Sequence, residues 1–291
     1  MSTSDPTIDA LINLLDDQDE LVYQSVRAKL LSLGSVVLPK LEDALHLADA
    51  TDHVKKLEEI INYFKREIFI DRMKLWISNE SRTLLEGWLL VSSIHHPNIS
   101  KEKIEIIIQK IYRDVWLEIA ESMTSLEKVA VINHIFFKIN QFEISHTDAP
   151  SVDNLVLDKL LFSKTGDVYS LTILYLIIAR YMNLDLIPIM LANKLLLVYE
   201  DKLATSLAFG TGSEKYLFYI NVAHKGSVIS PKDVQFLYNK SQKYGKAVTR
   251  IENDISLIKK ILNLLYLIYT EEGDYERLIL TEDILALMEN F

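Results

Sequence analysis

Residues 164–184, KTGDVYSLTILYLIIARYMNL, form a long apolar stretch around which any fold of this chain must be built. A membrane-spanning helix needs about 20 consecutive apolar residues. This run is interrupted by Ser170, Thr172, Arg180 and Asn183, and Asp185 follows it directly. A helix that is apolar on nearly all faces is buried inside a protein. We therefore predict a core helix that begins after Gly166, and no membrane span.

The chain has no cysteine among its 291 residues. This excludes disulfides, thiolate metal sites and a cysteine nucleophile, and it makes a cytoplasmic location the expectation. The N-terminal sequence MSTSDPTID has neither a basic start nor an apolar core, so we expect no secretory peptide. The formal net charge of −10 repels phosphate backbones, which argues against a nucleic-acid partner.

The first 183 residues carry helical periodicity almost throughout. Residues 1–80 predict helices separated by an Asp-rich turn at 16–19 and by the pair Leu33-Gly34, an order similar to one HEAT-type repeat. A long amphipathic helix is predicted at 53–76. Four more helices are predicted further along the chain, at 82–94, 101–123, 126–142 and 154–162.

After Asn183 the apolar period changes from that of a helix to that of strands. Short apolar runs between turn-forming residues predict an antiparallel meander of strands at 186–191, 195–199, 204–209 and 216–221. Residues 231–238 return to helix, and residues 239–250 predict a polar loop. The strand-rich part of the chain is therefore short and lies between helical segments.

The C-terminal segment predicts a helical hairpin with its turn at Gly273-Asp274, where glycine ends one helix and aspartate caps the next. It is similar to one tetratricopeptide-type unit and should pack on the middle of the chain. Two apolar faces are predicted for the hairpin: Ile251, Ile255, Ile258, Leu262, Leu265 and Tyr269 on the first helix, and Leu278, Ile279, Ile284, Leu285 and Met288 on the second.

The order of a buried helix followed by a meander resembles the transglutaminase-like fold. Over about residues 132–226 the chain resembles more specifically the SirB-type branch of that superfamily, which often ends in a tetratricopeptide-like hairpin. Four groups of residues carry this resemblance: Ile132-Asn133-His134 with Phe137 and Phe142; Asn154, Leu160-Leu161 and Lys164-Thr165-Gly166; Ser170-Leu171, Leu174-Tyr175, Ala179-Arg180 and Leu184; and Phe218-Tyr219-Ile220-Asn221 with Lys225-Gly226.

Enzymes of this superfamily place a cysteine at the start of the buried helix, a histidine on the next strand and an aspartate on the strand after. The helix N-terminus lowers the thiol pKa, the histidine takes the proton, and the acid orients the histidine. The resemblance puts Val168, Lys194 and Asn221 at these three positions. Valine has no nucleophilic atom, and an amide cannot balance the charge of a base, so the resemblance implies a degenerate triad.

Two other sets of side chains offer chemistry. Ser170 could act as a substitute nucleophile only beside a positioned base, for which His134 and His224 are the candidates. Together with Gly166, Ser170 and His134 would line the cleft of such a site. The adjacent pair His95-His96 has no partner at helical spacing and no nearby carboxylate in sequence, so it predicts no metal site.

We therefore predict an α+β, predominantly helical protein with three parts: a helical, HEAT-like segment at 1–80, a transglutaminase-like core at 81–246 and a helical hairpin at 247–291. The expected role is a non-catalytic interaction or scaffolding module with another protein as partner, and without a cofactor, nucleic acid or membrane. Two alternatives stay open at this point. One is an amide or peptide hydrolase that uses Ser170 or Lys194; the other is a cleft that binds a small ligand or peptide without chemistry.

Overall fold

The structure is a computed structural model. It describes residues 5–49, 51–146, 150–191, 194–200, 216–234, 236, 248–251 and 253–289. The chain divides into two compact units, Met1–Leu75 and Trp76–Phe291. The three-part division predicted from the sequence, with boundaries at 80 and 246, stays a prediction.

The first unit is built from helices, which are α1 (Asp5–Leu14), α2 (Glu20–Leu33), α3 (Leu38–Leu47) and α4 (Thr51–Ser78), whose last residues, 76–78, belong to the second unit. Asp19, at the end of the Asp-rich turn, caps α2 by accepting a hydrogen bond from the Leu21 amide over 2.8 Å. Gly34 ends α2 with a φ of 77°, a conformation that favours glycine. The apolar faces of these helices share one core: Ile8, Ile12, Leu15, Tyr23, Val26, Leu30, Val37, Leu41, Leu57, Ile60, Ile61 and Phe64.

The second unit surrounds one buried helix with others. Its helices are α5 (Leu84–His95), α6 (Lys101–Glu118), α7 (Ser125–Asn133), α8 (Leu157–Ser163), α9 (Val168–Tyr181), α10 (Asp254–Glu272) and α11 (Tyr275–Leu287). Every residue of α9 from 170 to 179 is buried. The apolar stretch predicted as a core helix is therefore the centre of this unit.

Two sheets accompany α9. A short parallel pair, β1 (Glu143–Ile144) and β2 (Thr165–Gly166), leads directly into the helix. The larger sheet is antiparallel and has the order β6-β5-β4-β3-β7. Its strands are β3 (Leu186–Leu191), β4 (Lys194–Glu200), β5 (Tyr216–Asn221), β6 (Ser227–Ile229) and β7 (Val248–Arg250).

The meander predicted after Asn183 is present, since β3, β4 and β5 pair consecutively. The strand predicted at 204–209 lies outside the described residues. The prediction of a polar loop at 239–250 is wrong at its end, because residues Val248–Arg250 form β7, which pairs with β3. Pairing across the sheet, rather than local composition, makes these three residues a strand.

Two helices predicted from periodicity are longer than those in the structure. α6 ends at Glu118 rather than at 123, because Ile119 is extended and Thr124 starts α7 with a capping box. The helix predicted at 126–142 is α-helical only to Asn133 and continues as a π-helix over His134–Ile139. In this turn the Asn140 amide donates to the Ile135 carbonyl over 2.9 Å, five residues back, which widens the helix.

The C-terminal hairpin turns at Gly273 and Asp274 as predicted: Gly273 has a φ of 71°, and Asp274 caps α11. Its first apolar face is buried, and α10 packs against α5 and α9. On the second face the prediction fails at Ile279, which is 47 % exposed. Thr281, fully buried with its hydroxyl donating to the Arg277 carbonyl over 2.7 Å, faces inward instead.

The predominantly helical α+β fold is therefore confirmed. Among the helices that the structure describes, none taken alone has the length and apolar character needed to cross a bilayer.

Candidate functional site

The start of α9 is held by the segment that precedes α8. The carboxylate of Asp167 caps the helix by accepting a hydrogen bond from the Tyr169 amide over 2.8 Å. The Asp167 amide in turn donates to the main-chain oxygen of Asn154 over 2.9 Å. Burial raises the pKa of the Asp167 carboxyl, and hydrogen bonds from the amides of Tyr169 and Val168 oppose this only in part.

Gly166 is required at this place by packing. A Cβ atom on Gly166 would lie 2.1 Å from Leu160 Cδ1 and 2.7 Å from Ser170 Oγ. Gly166 is buried at the end of β2, so its neighbours have little room to move away. The glycine that opens the helix therefore allows α8 and α9 to approach each other closely.

Val168, assigned to the nucleophile position, and Ser170, considered as a substitute nucleophile, lie in the first turn of α9. Val168 is the first residue of the helix and is partly buried. Ser170 is fully buried, and its hydroxyl lies 2.7 Å from the Asn154 carbonyl oxygen and 2.9 Å from the Asp167 carbonyl oxygen, to which it donates. Carbonyl oxygens cannot take a proton as a general base does. The hydrogen bonds of Ser170 therefore tie the helix start together and do not activate the hydroxyl.

Lys194 and Asn221 lie on one face of the large sheet. Lys194 is paired with Leu191 and Asn221 with Ser227, and side chains of paired residues point to the same side. Because alternate residues share a face, this face also carries a set of buried residues that form one apolar cluster with Val234: Ile189, Leu191, Leu196, Val198 and Tyr219. Lys194 is exposed at its edge, whereas Asn221 is 9 % exposed.

The opposite face of the sheet packs on α9. The cluster around Val234 contains no residue of α9, yet α9 contacts β3 and β4. The face that meets the helix therefore carries Leu195, Leu197 and Ile220, which are at most 3 % exposed. Leu195 follows Lys194 along β4, and Ile220 precedes Asn221 along β5. These two aliphatic side chains thus face the helix. The assignment of Val168, Lys194 and Asn221 to triad positions stays a prediction.

A family model for the transglutaminase-like superfamily matches residues 102–262, more than half of the chain. The chain belongs to the transglutaminase-like superfamily. The matched region begins in α6 and ends within α10, so it contains α9 and the whole meander. No curated protein and no solved structure matches the chain significantly.

The two histidines considered as bases in this superfamily domain are both exposed. His134 begins the π-helix, and His224 lies in the 3-10 turn after β5. Ser170, by contrast, is fully buried. The hydrogen bonds described for the Ser170 hydroxyl go to the carbonyl oxygens of Asn154 and Asp167, and neither histidine is among these partners.

Asn133, which precedes His134 in the superfamily motif, joins three elements. Its side-chain amide donates to the Gly226 carbonyl over 2.8 Å, and its side-chain oxygen accepts from the Tyr175 hydroxyl over 2.9 Å. Complete burial raises the pKa of Tyr175. Asn133 therefore connects α7, α9 and the turn before β6. The sequence motif indicated this residue, but its partners are visible only in the structure.

A second cluster of polar side chains lies at the end of α5. His95 and His96 have ring centroids 4.7 Å apart, and each offers one ligand atom within 4.8 Å of a carboxylate oxygen of Asp153. Asp158 Oδ2 lies 2.8 Å from His96 Nδ1. Burial, with smaller contributions from Arg277 and His96, lowers the pKa of His95. Sequence spacing could not reveal these carboxylates, because they belong to the separate segment around α8.

Proposed function

We propose that this chain is a non-catalytic member of its superfamily that acts as a protein-interaction or scaffolding module. One observation carries the proposal: the start of α9 has valine at position 168, two residues after Gly166, and the only aliphatic hydroxyl of that turn, on Ser170, donates to main-chain carbonyls. Chemistry of the superfamily type needs a nucleophile and a base in contact. Neither the exposed Lys194 nor the aliphatic residues that face α9 supply such a pair.

We also assign the chain to the SirB-type branch and its C-terminal hairpin to the tetratricopeptide-like class. The order of the four motif groups along the chain supports the first assignment. The α10–α11 hairpin, with its turn at Gly273 and Asp274, supports the second. Hairpins of this class present helical surfaces that suit protein partners. A cytoplasmic location, suggested by the absence of cysteine, completes the proposal.

The alternative of a small-ligand cleft has less support. A cavity of about 90 Å³ lies beside β3 and is lined by Arg180, Leu186, Ile187, Pro188, Arg250, Ile251 and Asn253. Small-molecule sites generally have volumes of about 300–1,000 Å³. Moreover, Val168, Lys194 and Asn221 do not line this cavity. This cavity therefore gives no support to the small-ligand alternative.

Helix α6 offers a surface suited to a protein partner. Ile106 and Leu117 are 69 % and 67 % exposed. They are eleven residues apart, which places them on the same side of a helix with 3.6 residues per turn. Trp116, next to Leu117, is 57 % exposed. Apolar and aromatic side chains of this kind are enriched at the centre of protein interfaces.

Quantitative affinity capture from extract of the source cells tests this role. The wild-type chain is compared with a variant that carries Ile106→Glu and Leu117→Glu. A matched control carries Leu21→Glu and Leu47→Glu in the first unit, where both leucines are at least 80 % exposed. We expect the same partner with the wild type and the control, and at least about tenfold less with the α6 variant. Failure of the wild type to enrich any protein above a bait-free control would contradict the proposal.

A further inference from the structure

Four side chains from two separate segments meet at the end of α5. His95 is the last residue of this helix, and His96 follows it. Asp153 lies in the 3-10 turn Val152–Asn154, and Asp158 lies in the first turn of α8. We name these four residues the histidine cluster. His95, His96 and Asp153 each bring one ligand atom within 4.8 Å of the others.

Three polar atoms of the histidine cluster are buried without a hydrogen-bond partner: Nδ1 of His95, Nδ1 of His96 and Oδ1 of Asp158. Buried polar atoms in proteins are nearly always hydrogen-bonded, and three such exceptions in one place indicate a ligand. His96 Nδ1 and Asp158 Oδ2 are only 2.8 Å apart, although Nδ1 forms no hydrogen bond. Because zinc–ligand bonds are about 2.0–2.2 Å long, two ligand atoms of a tetrahedral ion lie farther apart than this, so the two atoms must separate slightly to share an ion.

We propose that the histidine cluster is a binding site for a divalent transition metal of the zinc class, held by His95, His96 and Asp153, with Asp158 as the fourth ligand. Imidazole nitrogen combined with carboxylate oxygen suits zinc, copper and nickel, whereas magnesium and calcium prefer oxygen alone. Ligand atoms of a tetrahedral zinc site are about 3.4 Å apart. The ligand atoms of His95, His96 and Asp153 must therefore move closer together, and the exposed Asp153 must move relative to Lys159, whose Nζ lies 3.8 Å from Asp153 Oδ2.

The imidazole of His95 is partly buried, and its Nδ1 has no hydrogen-bond partner among the described residues. The ring also stacks on Tyr269, with centroids 6.5 Å apart and planes at 16°, which limits its rotation. Arg277 opposes a cation nearby, but it forms an ion pair with Asp274, and its Nε donates to the Ile94 carbonyl over 3.2 Å.

An ion in this position would connect α5 to the segment that holds the start of α9. Asp153 precedes Asn154, whose carbonyl oxygen accepts from both the Asp167 amide and the Ser170 hydroxyl. A site with four protein ligands has no open coordination position, which is the arrangement of structural zinc sites. The ion should therefore stabilise the second unit against unfolding. This role does not depend on whether the chain binds a partner protein.

Isothermal titration of tag-free, full-length protein with Zn²⁺ tests the site, with Co²⁺ absorption as a spectroscopic readout. We expect one ion per chain and a rise in the melting temperature. His96→Gln and Asp153→Asn should each weaken binding by about 10- to 100-fold. The control His224→Gln removes an exposed imidazole elsewhere in the same unit and should leave binding unchanged.

The exposed position of Asp153 makes Asp153→Asn the decisive variant if His96→Gln unfolds. Circular dichroism before titration verifies that each variant has the fold of the wild type. Loss of stoichiometric binding in folded Asp153→Asn, but not in His224→Gln, supports the site. The inference is overturned if the wild type binds no stoichiometric ion, or if folded Asp153→Asn binds as tightly as the wild type.

Discussion

The side-chain amide of Asn133 donates a hydrogen bond to the main-chain oxygen of Gly226 over 2.8 Å, across 93 residues of sequence. The other end of the same amide accepts from the Tyr175 hydroxyl over 2.9 Å. One side chain thereby satisfies a carbonyl of the sheet layer and a hydroxyl of the buried helix. Because buried polar groups are costly when left unpaired, this contact ties α7, α9 and β6 into one structure.

Asn133→Ala should lower the free energy of unfolding by about 1–3 kcal/mol, because it leaves the Tyr175 hydroxyl and the Gly226 carbonyl without this partner. Chemical denaturation monitored by fluorescence measures the change. Asn140→Ala is a suitable control: among the described residues, the Asn140 side chain donates to the Ile135 carbonyl of its own turn, so its loss should cost less. A larger loss for Asn140→Ala than for Asn133→Ala would contradict this interpretation.

Gly226→Ala should be more destabilising than Gly273→Ala, although both glycines have a φ of 71°. Left-handed backbone costs an alanine about 1–2 kcal/mol at either position. At Gly273 the new Cβ meets no atom within 4 Å, whereas at Gly226 it would lie 1.8 Å from Asn133 Oδ1. We expect roughly a further 1–3 kcal/mol of destabilisation there.

The double variant Asn133→Ala, Gly226→Ala isolates this clash. With the Asn133 amide absent, the Gly226 substitution should cost only about as much as Gly273→Ala. Equal costs of Gly226→Ala in the wild type and in the Asn133→Ala background would show that the clash does not contribute.

Asp167→Asn should stabilise the protein at pH 7. The folded-state pKa of Asp167 is raised above its ordinary value of 3.8, mainly by burial. The wild type therefore loses stability as pH rises from 3.8 through the folded pKa, because the folded state resists ionisation. Asparagine also caps helices well, so the hydrogen bond to Tyr169 can be kept.

The free energy of unfolding of both proteins, measured from pH 3 to pH 8, checks this sign. The advantage of Asp167→Asn should be present at pH 7 and disappear below pH 3.8. An advantage for the wild type that grows with pH would mean that the carboxylate is stabilised in the fold rather than penalised.

Gly87→Ala should destabilise α5, although alanine favours helices over glycine by about 1 kcal/mol. A Cβ on Gly87 would lie 2.3 Å from Trp76 Cζ2. Trp76 cannot easily withdraw, since it is 5 % exposed and its Nε1 donates to the Thr83 carbonyl over 2.9 Å. We expect a net loss of about 1–3 kcal/mol in denaturation.

Trp76→Phe supplies the comparison, because phenylalanine lacks the ring atoms that meet the new methyl group. In that background Gly87→Ala should be neutral or stabilising, as helix propensity then decides the sign. A stabilising effect of Gly87→Ala in the wild type would show that the tryptophan moves aside at little cost.

Local sequence signals predicted the elements that depend on local chemistry. The strands at Leu186–Leu191 and Tyr216–Asn221 have the bounds given by their apolar runs. Burial of α9 followed from its apolar residues on all faces, and Gly273 marked the hairpin turn. These features need no knowledge of distant contacts, because side-chain pattern and backbone preference alone determine them.

Other features depend on contacts between distant segments and were not predictable. The π-helix after Asn133 and the strand at Val248–Arg250 contradict their local patterns. The carboxylates that meet His95 and His96 come from the turn before α8. Strand alternation likewise shows that Lys194 lies on the sheet face away from α9, which requires knowledge of the register.

Turnover of amide substrates shows whether the chain is non-catalytic. Tag-free wild-type protein and Ser170→Ala are incubated with an unfolded protein and with a glutamine peptide plus a primary amine. New N-termini, released ammonia and cross-linked product are then quantified by mass spectrometry and coupled assay. Ser170→Ala should fold, because it removes a single hydroxyl, whose proton is shared between two carbonyl oxygens and is worth about 1 kcal/mol, and leaves the Asp167–Asn154 bond in place. We predict that neither protein converts these substrates faster than buffer alone. Turnover by the wild type that Ser170→Ala abolishes would contradict a non-catalytic role.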